Sequence, residues 1–331
     1  MESYGRAASE AAEAVATTAV PTVRANGIDI WYERLGPAEG TPLVLTHGFA
    51  GPSGHWRPEV LPLAEKRPLI LYDVRGHGLT SVPHPYKRKM LETDESGIFQ
   101  VARDDFGYSL PVFAADLAGL LKAIGIERAH VGGVSMGGMI TAQFAVDYPE
   151  MCESVLLCDT TCGNTPMVAA SPDDEDAAAQ WEQRLKMGIT LLSHSVREYG
   201  LEETLRRENE WKKANDPHQD ETPYSFEEDL ERIKLMTPEG YIGAANAIAT
   251  RPNLTERIQK ITAPSLVMIG EWDDFLPCGL RDHDLIAGSR LIVRTRCAHG
   301  SRWRPETFLS EIEAFLDDVE AVRTVARERV V

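Results

Sequence analysis

The run Gly133-Val134-Ser135-Met136-Gly137 places a serine between two glycines, with Gly138 directly behind it. Between a buried strand and a helix, a G-x-S-x-G run forces a sharp turn that lifts the serine above the sheet edge. Side chains at the flanking positions would collide with the crossing strand and helix, and the helix N-terminus favours developing negative charge. A serine hydroxyl is a weak nucleophile at its own pKa, so the chemistry needs a base and an orienting acid. In this architecture both follow the serine along the chain, acid first. Gly270-Glu271-Trp272-Asp273-Asp274 leaves an apolar run and offers Asp273 as the acid. Only His283 and His299 come later. His283 falls in a helical pattern over 280–286, whereas His299, in Cys297-Ala298-His299-Gly300, stands at a strand exit beside a glycine. His299 is the expected base, and it must be neutral to act, titrating in the ordinary range near ~6–7.

A third component is a pair of donors for the tetrahedral oxygen. Thr46-His47-Gly48-Phe49 ends an apolar strand-like run, and one backbone N–H from such a loop acts together with the N–H after the nucleophile. That assigns Phe49 and Met136. The His47 side chain reads as a hydrogen-bonder of its own loop, and His77, in Arg75-Gly76-His77-Gly78, as a group satisfied by neighbouring backbone. Asp159, at another strand exit, is the alternative acid. Asp274 reads as a solvated or helix-capping neighbour of Asp273. Arg281-Asp282-His283-Asp284 has metal-ligand residue types without a completing cluster, and reads as surface. Cys278 and Cys297 flank the acid and the base as packing residues. Trp56, Trp181, Trp211, Phe226 and Tyr241 are candidates to line a pocket or to form core. No cofactor and no metal is called for.

The elements that must position these residues alternate. Asn26-Gly27 between 22–25 and 28–33 marks a hairpin with a tight turn. Short apolar runs at 42–46, 68–73, 129–134 and 154–158 read as buried parallel strands. Helical spacing over 111–124 ends at Gly125, a C-cap glycine, and 137–147 reads as a second helix. Strand and helix in turn give an α/β sheet wrapped by helices. The alternation stops over 163–257, which holds only helical patterns, broken by a polar stretch at 215–223, and an excess of acidic side chains that reads as a solvated surface. Strand-like runs resume at 265–269 and 291–294, and 308–325 reads as a closing helix. The expected organisation is a flexible N-terminal tail over 1–21, a core of 22–162 and 258–331, and a helical lid (cap) over 163–257. A second insertion at 84–107 leaves a parallel strand at the edge where ligands bind.

Composition narrows the classes. The chain has 331 residues, 43% of them hydrophobic, and a formal charge of −17, which disfavours nucleic-acid and anionic-membrane roles. No apolar run is long enough to span a bilayer. Glutamates interrupt the alanine-rich first twenty residues, so they do not read as an export signal. Five cysteines without C-x-x-C spacing suit a reduced cytoplasm rather than a disulfide framework.

Together His47-Gly48-Phe49, Asp73-Val74-Arg75-Gly76-His77-Gly78, Gly133 to Gly138, Gly270…Asp273…Pro277 and Ala298-His299-Gly300 resemble the α/β-hydrolase fold superfamily, from residue 23 to about 319. The nearest flavour is similar to the 3-oxoadipate enol-lactonase and small-carboxylesterase branch. That resemblance implies an eight-stranded, mostly parallel sheet with an antiparallel second strand, and a lid inserted after strand 6. It also implies a Ser135–Asp273–His299 triad free of metal and cofactor. Family spacing puts the acid three residues after Gly270 and a proline seven after it. The loop over 84–107 and the lid are both larger than that branch carries, and both lie over the substrate side. The expected activity is hydrolysis of a carboxylic ester or lactone through an acyl-enzyme. Alternatives are C–C bond hydrolysis of a vinylogous diketone, or a slow-turnover hydrolase-fold ligand receptor. Epoxide hydrolases and haloalkane dehalogenases are disfavoured, since those relatives carry Asp where Ser135 stands. The expected partner is a small-molecule ester or lactone, and at most a second copy of the chain in a homodimer.

Overall fold

A computed structural model describes residues 21–82, 92–93, 99–100, 107–163 and 175–328. The expected tail over 1–21, apart from its last residue, and most of the 84–107 insertion lie outside the described residues; within the insertion Glu92–Thr93 pairs with Phe99–Gln100.

Eight strands form one sheet: β1 (Thr22–Ala25), β2 (Ile28–Leu35), β3 (Leu43–Thr46), β4 (Leu69–Tyr72), β5 (Ala129–Val134), β6 (Cys152–Cys158), β7 (Ser265–Gly270) and β8 (Arg290–Arg294). Their spatial order is β1-β2-β4-β3-β5-β6-β7-β8. β2 runs antiparallel to both neighbours, and the pairs from β4 to β8 are parallel. The β1–β2 turn has Asn26 and Gly27 at φ 44° and 79°, the left-handed pair that a type I′ hairpin requires.

The inner strands are apolar throughout because both faces are covered. Successive side chains alternate between faces, so Val44, Ile70, Val155, Leu157, Val267 and Ile269 enter one core. Leu45, Leu69, Leu71, Leu156, Leu266 and Met268 enter the other. Helices α2 (Leu110–Ala123) and α3 (Met136–Asp147) cover the first face. Helix α1 (Ser53–Val60) and the closing helix α10 (Pro305–Glu328) cover the second. Truncating a buried anchor such as Phe308, 2% exposed, to alanine costs about 3–5 kcal/mol.

Between β6 and β7 the chain runs through α4 (Glu175–Tyr199), α5 (Leu201–Asn215), α6 (Phe226–Ile233), α7 (Pro238–Ala249) and the single turn α8 (Thr255–Ile258). Helix α9 (Leu276–Leu285) follows β7. Val196, Leu205, Ile233, Tyr241 and Ile242 of these helices, with Met236 between α6 and α7, form their own apolar cluster, and it closes on Phe49 and Ala50 of the β3 exit loop. The helical insertion is thereby packed onto the loop expected to hold one of the two oxyanion donors, the Phe49 N–H. Ser225 and Thr237 cap α6 and α7, accepting from the Glu228 and Gly240 N–H groups, which fixes where these short helices begin. Among the described residues no helix is long and apolar enough to cross a membrane.

Candidate active site

Ser135 stands between β5 and α3 at φ 57°, ψ −121°, a left-handed conformation that costs a non-glycine residue of order 1–3 kcal/mol. The turn is possible because its flanks carry no Cβ. One at Gly137 would lie 2.1 Å from the Thr46 carbonyl oxygen, and one at Gly133 2.3 Å from the Gly137 carbonyl carbon. The elbow therefore presses against the end of β3. This puts the next loop beside the serine: a Cβ on Gly48 would sit 3.5 Å from Ser135 Cβ. Met136 opens α3, so its N–H belongs to the first turn, where no intrahelical acceptor exists.

Asp273 and His299 arrive from the exits of β7 and β8. His299 Nδ1 lies 2.8 Å from Asp273 Oδ2, and His299 Nε2 lies 2.8 Å from Ser135 Oγ. The other oxygen of Asp273 accepts the Phe275 N–H at 2.8 Å, so the carboxylate is oriented at both ends. With Nδ1–H donating to the carboxylate, Nε2 presents its lone pair to the serine hydroxyl. The three residues singled out in the sequence are brought together in that arrangement, whereas Asp159 makes no hydrogen bond to the ring and directs its carboxylate to the Gly270 and Gly300 N–H groups and to Arg294. Burial disfavours the imidazolium, but the charge and hydrogen bond of Asp273 outweigh it, with help from Asp159 and Asp274. His299 is thereby raised to about 9, above the ordinary range expected from sequence.

The surrounding loops are held by buried polar groups. His47 accepts the Val74 N–H at Nε2 and donates from Nδ1 to the Gly48 carbonyl. Burial lowers its pKa to about 4, so it is a neutral tie of the loop, as its setting suggested. Its ring packs against that of His77, which burial lowers to about 3. Asp73 accepts both the N–H and the hydroxyl of Ser53 and also the Leu79 N–H. It thus joins the start of α1 to the loop after β4. Arg75 forms a two-pronged pair with Asp116 at 2.6 and 2.8 Å, both side chains buried.

The aromatic candidates separate. Tyr241 is buried with its ring 4.6 Å from that of Phe49, and Phe226 packs partly into the same cluster. Trp211 is 64% exposed on α5, so it is not core. The side chains of Trp56 and Trp181 lie outside the described residues. Cys278 and Cys297 are buried free thiols, like the other three cysteines. Asp282 pairs with Arg281 and accepts the Cys162 N–H.

Several contacts had no sequence signal. His218 stacks on Trp272 at 3.8 Å, Arg302 pairs with Glu59 and Glu228, and Ser301 donates to Glu59. They bind the loops of the acid and the base to α1 and to the helical insertion. A histidine 54 residues from a tryptophan, or an arginine 74 from a glutamate, follows no spacing rule that a single sequence exposes.

A family model described as the alpha/beta hydrolase fold matches residues 41–278. The chain belongs to the alpha/beta hydrolase fold family. It is 24% identical over 254 residues to a 3-oxoadipate enol-lactonase of Acinetobacter baylyi, covering 76% of this chain and 79% of that one. A relative from Azorhizobium caulinodans, named for carbamate hydrolysis, is 33% identical over 138 residues, 42% of this chain; the chain spans 43% of that relative's length. The crystal structure of an enol-lactonase from Burkholderia xenovorans superposes with a TM-score of 0.69 at 20% identity, over 90% of this chain and all of that one. At such identity the likeness is one of fold.

Proposed function

We propose that this member of the family is a serine hydrolase that cleaves a carboxylic ester or lactone. The observation that carries the reading is the unbroken line from Asp273 through His299 to Ser135, with 2.8 Å at each step. Ser135 Oγ attacks the acyl carbon while His299 Nε2 takes its proton, and Asp273 stabilises the imidazolium. The Met136 N–H and, from the β3 exit loop, the Phe49 N–H hold the tetrahedral oxygen. The imidazolium returns the proton to the leaving oxygen and an acyl-enzyme forms. Water, activated by the same histidine, then releases the acid. In this scheme the helical insertion over 163–257 acts as a lid that supplies binding and excludes water, since every reacting group lies outside it. The five free buried thiols suit the reducing cytoplasm.

Names among the relatives favour an ester-like bond without fixing the substrate. The test is a panel of p-nitrophenyl esters of rising acyl length plus lactones of several ring sizes, run with the wild type and with Ser135→Ala. Saturable hydrolysis of at least one ester or lactone, lost in Ser135→Ala, supports the reading. Hydrolysis that persists in Ser135→Ala rejects it.

A further inference from the structure

The tripeptide Cys158-Asp159-Thr160 at the exit of β6 touches the loops of all three members of the triad. The Cys158 carbonyl accepts the Ser135 N–H at 3.0 Å, and the Thr160 hydroxyl donates to the Ser135 carbonyl at 2.7 Å. Between them Asp159 is turned inward at φ 43° and has no exposed surface. Its backbone N–H donates to the Met268 carbonyl in β7. One carboxylate oxygen accepts the Gly270 N–H at 2.9 Å, at the root of the acid loop. The other accepts the Gly300 N–H at 3.2 Å, the residue after His299, and receives the Arg294 guanidinium.

Arg294 is equally buried and donates onward to the carbonyls of Trp303 and Gly300, across the loop that carries His299. A buried ion pair of this kind gives little net stability, but its directional bonds fix geometry. Here each bond ends on backbone within three residues of Asp273 or within four of His299. We infer that Cys158-Asp159-Thr160 is the brace that holds the nucleophile, acid and base loops in register, and that Asp159, with Arg294, is a positioning residue for His299. The inference rests on the serine-hydrolase reading above and assigns the strand-6 aspartate a task other than that of the triad acid.

The substitution Asp159→Asn tests it. An amide can keep the acceptor toward the Gly270 N–H only by turning its NH2 toward the Gly300 N–H and Arg294, donors against donors. The base loop then loses its tie. With p-nitrophenyl acetate as substrate, kcat should fall by about 10²-fold with KM little changed, since a displacement of about 1 Å has that effect. The acidic limb of the kcat/KM profile should move to lower pH, because one of the three carboxylates facing His299 (Asp273, Asp159 and Asp274) is gone. A residue that merely supported the fold would lower the melting temperature and leave that limb in place. Thr160→Val, close to isosteric, removes only the bond to the Ser135 carbonyl and should cost about tenfold in kcat. It keeps the test open should Asp159→Asn not fold. Wild-type kcat in Thr160→Val, or an unmoved limb and kcat in a folded Asp159→Asn, overturns the brace. Ser135→Ala is assayed beside them: activity that survives there rejects the serine reading itself, whereas a silent Ser135→Ala with unaffected brace variants rejects only this inference.

Discussion

Replacing Asp273 by asparagine removes a charge and inverts a hydrogen bond while leaving the shape of the site unchanged. The carboxylate now accepts the Phe275 N–H through Oδ1 and faces His299 Nδ1 through Oδ2. An asparagine keeps its oxygen on the Phe275 N–H, and its NH2 then faces Nδ1. The ring must accept there, the proton moves to Nε2, and the lone pair no longer points at the Ser135 hydroxyl. The electrostatic part can be sized from the imidazole, which Asp273, helped by Asp159 and Asp274 and opposed by burial, raises from its ordinary 6.5 to about 9, a change of about 3 kcal/mol. With 42% of the His299 side chain exposed, water screens part of this, leaving about 2 kcal/mol, or roughly 30-fold in rate. The tautomer error multiplies that loss toward the ~10⁴-fold scale seen for this substitution in serine triads. The assay is kcat for a p-nitrophenyl ester at pH 7 to 9, with melting temperatures confirming that the variant is folded. A folded Asp273→Asn protein within tenfold of wild type refutes the assignment of the acid.

Other outcomes follow from the same geometry. The base must be neutral, so kcat/KM should rise with pH along a limb lying above the ordinary imidazole range, toward about 9; a midpoint at or below about 6.5 contradicts the carboxylate field around His299. Glu59, whose side chain is 14% exposed, is raised to about 7, chiefly by burial. A raised folded-state pKa gives stability that is full below the unfolded value and lost as pH rises through about 7, so Glu59→Gln should leave the melting temperature unchanged near pH 4. At pH 8 it should stabilise by up to about 2–3 kcal/mol, and equal effects at both pH values tell against this. Gly137→Ala would drive a Cβ to 2.1 Å from the Thr46 carbonyl and should yield little soluble protein, whereas normal yield and activity would show that the elbow has room.

The sheet was legible because its strands carry the pattern that burial on both faces demands: Ala129–Val134 was read to the residue, and β3, β4 and β8 to within one. Glycines did the same for the turns, since Gly27, Gly125 and Gly137 stand where a left-handed backbone or a close approach excludes a side chain. Helix α1 escaped because it is short, contains Pro58 and has no apolar stripe. The insertion read only as helical. Its helix limits depend on caps such as Ser225 and Thr237 and on packing against Phe49, neither of which its periodicity reveals. The reacting trio was visible through order and strand exits, whereas the elevated His299 was not. It depends chiefly on how closely the fold sets the Asp273 carboxylate against the ring, with help from Asp159, 140 residues away along the chain. Asp159 itself stood out only as a rival acid, because a sequence shows that a strand ends in a carboxylate but not which backbone N–H groups it meets.

The central claim is that Ser135 is the nucleophile of an acyl-transfer site. Its most direct test is the intact mass of the protein after treatment with a p-nitrophenyl alkylphosphonate. One equivalent of phosphonyl group should add to the wild type with parallel loss of esterase activity, the adduct should map to the peptide containing Ser135, and Ser135→Ala should stay unlabelled. Stoichiometric labelling of Ser135→Ala, or wild-type inactivation with the adduct on any other residue, would contradict it.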